Sequence, residues 1–142
     1  GLTHAEVITR LDQQVTATLA RTDFTSLGDM VAAFVADLTE RFREDGAIYA
    51  AAPKPSESDA PRQNARQTQE HLLATLMAAA APFRREIGHP DLGAAFRVLL
   101  QMLLGALLRR SNPVGPGDKS IDWPIMQREL TRASVAYLTC AL

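Results

Sequence analysis

A chain of 142 residues is near the commonest length of one domain, so a single core over residues 1–142 is expected. Apolar residues make up 46% and charged residues 22%, which excludes wholesale disorder, and 15 Lys+Arg against 16 Asp+Glu leave a net charge of −1, without the basic footprint of an isolated nucleic-acid-binding domain. One cysteine, Cys140, excludes an intrachain disulfide framework and a Cys-rich zinc site, and it fits a reducing cytosol.

The chain begins with Gly1 rather than Met, the pattern of a processed or excised piece, and no leading segment has the composition of a signal peptide. The first helix is expected to open at Thr3, because Thr3-His4-Ala5-Glu6 has the form of a capping box. Val7, Leu11, Val15 and Leu19 follow at helical spacing, and the polar run Arg21–Thr25 breaks the pattern. A second helix starts at Ser26, with Asp29 three residues on. Met30, Val31, Phe34, Val35, Leu38 and Phe42 form its apolar face, Asp37, Glu40, Arg41 and Arg43 point outward, and Gly46 is read as its C-terminal stop. Ala47 to Ala52 add a short helical turn carrying Tyr49.

Pro53 to Pro61 is the clearest loop, since its three prolines remove backbone donors and disfavour helix in the residues before them. A third helix is expected from about Arg62 to Ile87, with Pro82 kinking it or splitting off a last turn before Gly88. His89-Pro90-Asp91 opens a fourth helix, in which only Gly93, Arg97, Gln101 and Gly105 interrupt the apolar side chains from Leu92 to Leu108. That run is shorter than the ~20 residues of a bilayer span and carries Arg97 and Gln101, so it reads as a helix covered on nearly every side by protein. Ser111 to Ser120 is a second loop. The last helix starts at Asp122, with Pro124 in its first turn and Ile121 and Met126 placed for a hydrophobic staple. Trp123, Met126, Leu130, Ala133, Tyr137 and Ala141 line its apolar face. No stretch alternates as a strand does, so the fold class is all-α, a bundle of about five to six helices.

Catalytic chemistry finds no footing. His4, His71, His89 and Cys140 form no paired ligand motif, so no metal and no cofactor are expected. No nucleophile elbow, phosphate loop or dinucleotide fingerprint is present, and no enzyme is expected. Arg84-Arg85 and Arg109-Arg110 sit at helix ends, where cations favour the helix dipole.

Two features stand out. The fourth helix, with Val98, Met102 and Gly105, and the last helix, with Leu130, Ser134, Tyr137 and Leu138, suit a four-helix interface between two copies; the alternative is a core helix surrounded by its own chain. Between the second, third and fourth helices, Phe34, Leu38, Phe42, Phe96 and Leu100 suit a small-molecule pocket. Gln67, His71, Thr75 and Gln101 lie near enough in helical phase to add polar contacts, and the alternative is a filled core.

The order of features, with Pro82-Phe83-Arg84-Arg85-Glu86-Ile87, then His89-Pro90-Asp91-Leu92-Gly93-Ala94-Ala95-Phe96, then Ala133-Ser134-Val135-Ala136-Tyr137-Leu138, resembles the C-terminal regulatory domain of tetracycline-repressor (TetR) family regulators. The resemblance implies a cytoplasmic bacterial regulator that dimerises through its last two long helices and binds a small, largely apolar effector. The N-terminal helix-turn-helix head of that family is absent, so this chain alone is not expected to bind operator DNA. The other reading is a helical interaction or structural module with a filled core and no ligand.

Overall fold

A computed structural model describes residues 1–51, 60–112, 115 and 119–141, with the backbone alone at 60–62. It contains α1 (His4–Leu19), α2 (Leu27–Ala50), α3 (Ala60–Ala80), α4 (Leu92–Ser111) and α5 (Trp123–Thr139), and no strand among the described residues. A 3₁₀ turn, Ala81–Glu86, joins α3 towards α4. The all-α architecture expected from the periodicities is the one observed.

The starts of the helices follow from local chemistry. Thr3 and Glu6 complete the capping box of α1, with each side chain taking the other residue's backbone N–H. Ser26 accepts from the Asp29 N–H at the start of α2, and Asp91 accepts from the Ala94 N–H at the start of α4. Asp122 occupies the N-cap of α5 without a side-chain cap bond, and Pro124 sits in the first turn, where a missing N–H costs little. Pro82 ends α3 and tightens the chain into the 3₁₀ turn, inside which Phe83 leaves helical geometry. The Pro53–Pro61 loop lies outside the described residues except at its end, where α3 has already begun by Ala60.

Gly46 does not stop α2, which runs on to Ala50 as one helix of 24 residues. Its missing side chain serves packing instead. A Cβ there would overlap the Ser111 side chain, so the glycine sets how closely the ends of α2 and α4 approach. Gly88 plays the same part at the other end of the bundle. Its N–H donates to the Leu138 carbonyl, and a Cβ would overlap the Cys140 carbonyl.

The helices alternate in direction. The N-termini of α1 and α3 and the C-termini of α2 and α4 meet at one end, because His4, Tyr49, Ala65 and Leu108 border one cleft. Arg110 stacks on Trp123 with its guanidinium 4.3 Å from the ring centre, which places the start of α5 beside the end of α4. α2 is the central helix: α1, α4 and α5 pack on it, and α3 closes the far side against α1 and α4. Phe34, Leu38, Leu72, Leu76, Phe96, Leu99 and Leu107 are almost wholly excluded from solvent along this axis. Each such side chain contributes roughly 1.5–3 kcal/mol by burial.

Candidate functional site

The residues expected to line a pocket separate in the structure. Phe34, Leu38, Phe96 and Leu100 are buried together in the core and border none of the clefts described below. Gln67, His71 and Gln101 are exposed on outer faces and are not brought to those side chains. The His71 ring instead meets Asp12, with Nδ1 2.6 Å from Oδ1, and ties α3 to α1. Thr75 donates to the His71 carbonyl and borders a groove of about 560 Å³ between the C-terminal ends of α1 and α3, lined also by Leu19, Phe24 and Phe83. The polar set failed to converge because a 3.6-residue period fixes which residues share a face, but not which neighbour that face meets.

Phe42, of the expected set, reaches a second cleft, and it lies at the end of the bundle. Four helices border a half-open cleft of about 140 Å³ there. Ile8 and Leu11 of α1, Leu72 of α3, and Leu104 and Leu108 of α4 form apolar walls. Phe42 and Tyr49 stack one turn pair apart on α2, with ring centres 4.6 Å apart and planes inclined by 28°, and give the cleft an aromatic side. His4, Thr68 and Gln69 supply the polar groups of the rim, and no Asp, Glu, Lys or Arg borders the cleft among the described residues. The Tyr49 hydroxyl donates to the Val7 carbonyl at 2.9 Å, and burial raises the phenol well above its ordinary pKa. Tyr49 was the residue that composition hid, since an aromatic in an alanine-rich turn carries no pattern of its own.

Beside this cleft lies a charged cluster that the sequence placed in solvent. Arg41 is buried, as is Asp45, although amphipathic patterning pointed Arg41 outward. Its Nη2 donates to Glu44 Oε2 at 2.9 Å, its Nη1 lies 3.6 Å from Asp45 Oδ2, and Arg10 of α1 reaches the same two carboxylates. Two cations and two anions thus neutralise one another where α1 crosses α2.

The expected self-association face divides. Val98 (43% exposed), Met102 (48%) and Gly105 stand on the outer face of α4, and nothing lies within 4 Å of a Cβ added at Gly105. Ser134 and Leu138 point inward, almost wholly buried, and Leu130 and Tyr137 are half-buried. The outward face of α5 is Ile125 (41% exposed), Glu129, Ala133 and Ala136. Ile121, just before α5, is also exposed. The expected apolar face of α5 was rotated, because Ala133 and Ala141 are exposed whereas Ser134 is buried and donates to the Leu130 carbonyl. A small hydroxyl bonded to its own helix packs as an apolar residue does.

Within one chain α4 is not surrounded on every side, so its own chain does not supply the cover expected for it. It is 20 residues long, and by length and composition it is apolar enough to cross a membrane. One face packs on the bundle, and the other is left open. Arg97 on its flank is held by Glu70 of α3 at 2.7 Å, which lowers the Glu70 pKa. No group of three His, Cys, Asp or Glu is placed to hold a metal ion among the described residues. Comparison with protein-family models, curated proteins and solved structures finds no match.

Proposed function

We propose that the chain is the effector-binding and dimerisation body of a cytoplasmic TetR-like transcriptional regulator that acts without catalysis or a cofactor. DNA would be read by a helix-turn-helix head outside these residues. The observation that carries the reading is the open apolar face of α4 and α5. Of the five large hydrophobic side chains exposed among the described residues, Val98, Met102 and Ile125 belong to these helices and Ile121 immediately precedes α5. A row running through Ala94, Val98 and Gly105 lets a second helix approach closely, as in a four-helix interface between two copies. An effector then acts by preferring the dimer geometry that cannot span two DNA half-sites.

The filled centre around Phe34, Leu38, Phe96 and Leu100 favours a second reading, a helical interaction module that takes no ligand. Both readings are tested by fusing the chain to a DNA-binding head that occupies a palindromic operator only as a dimer. Repression of a reporter by the fusion, lost with Val98→Asp and Met102→Glu, supports the dimerisation body, and effector-dependent relief separates the regulator from the module. The chain alone should give no salt-sensitive, sequence-specific shift of any duplex, and such a shift would overturn the assignment.

A further inference from the structure

We propose that the cleft at the end of the bundle binds a neutral, single-ring aromatic molecule carrying one hydrogen-bonding substituent. Its role as the effector site rests on the regulator reading above, whereas its binding chemistry stands on the cleft alone. Size sets the first limit. About 140 Å³ is close to the roughly 150 Å³ of an engineered apolar cavity that takes up benzene, so the cleft has room for one ring. The walls set the second. The Phe42–Tyr49 stack offers an aromatic surface for a third ring, and Leu72, Leu104 and Leu108 close around the ring edge.

The polar groups define the substituent. The Tyr49 hydroxyl is already spent on the Val7 carbonyl, so it is wall and not recognition group. His4, Thr68 and Gln69 have side chains uncommitted to any hydrogen bond among the described residues, and all three stand at the rim. A hydroxyl or carbinol projecting from the ring meets them there. Among the described residues no charged side chain borders the cleft to repay the desolvation of a carboxylate or an amine, so an ionised ligand is disfavoured.

The test is fluorine NMR of 4-fluorophenol titrated with the whole chain. Saturable broadening that phenol reverses and benzoate does not is the expected result. Leu108→Phe and Ala65→Phe each push a ring into the cleft from a different helix, and each should weaken binding at least tenfold while the helical circular dichroism is kept. Ala79→Phe, which instead fills the groove beside α1 and α3, should leave binding unchanged. Absence of saturable broadening, broadening that survives both cleft fillers, loss with Ala79→Phe, or equal competition by benzoate overturns the proposal. Sedimentation of the same samples keeps the two readings apart: a dimer that ignores 4-fluorophenol loses this inference only, and a monomer loses the dimerisation body whatever it binds.

Discussion

Gly46 shows how one residue type supports two readings with opposite consequences. In sequence it sits where a helix C-terminus would use its conformational freedom; in the structure it lies within α2, against Ser111. Gly46→Ala should therefore destabilise the fold by about 1–3 kcal/mol through overpacking, although alanine is the better helix former. Urea denaturation measures this. Ser111→Gly in the same chain should restore most of the loss, which a conformational role for Gly46 would not permit. Tyr49 makes a second residue-scale prediction. Its folded pKa is raised above the unfolded value near 10, so the associated stability is present below that pH and is lost as pH rises through the folded value. Absorbance titration should show a phenolate component displaced to higher pH, absent from Tyr49→Phe.

At the scale of elements, the helix starts were legible because capping is local. Thr3, Ser26 and Asp91 each accept from the N–H three residues on, and Asp91→Ala should cost about 0.5–2 kcal/mol in thermal or chemical denaturation. The rotation of a helix against its neighbours was not legible, because it depends on what the face meets. Ser134 is inside and Ala133 outside, and Arg41 is inside because the Glu44 and Asp45 carboxylates are there to neutralise it. Asp45→Ala removes one of the carboxylates facing the buried guanidinium and leaves Glu44 hydrogen-bonded to it, so it should cost about 1–3 kcal/mol. Double substitution of Arg41 and Asp45 by apolar residues should cost far less than Asp45→Ala alone. The candidate site fared likewise: Phe42 was legible as an aromatic on the inner face of α2, whereas Gln67, His71 and Gln101 needed a shared neighbour that the fold does not give them.

At the scale of the molecule, five alternating helices close one core and leave two features unspent: the cleft at the end where α1 begins, and the outer face of α4 with α5. The second carries the account. Val98 and Met102 contribute little to the fold of a single chain, so polar substitutions there should spare helicity while removing association. Sedimentation velocity of the purified chain over a wide concentration range tests this directly. The account predicts a species of two chains that falls to one with Val98→Asp and Met102→Glu; a single chain at every concentration, or a dimer indifferent to both substitutions, contradicts it.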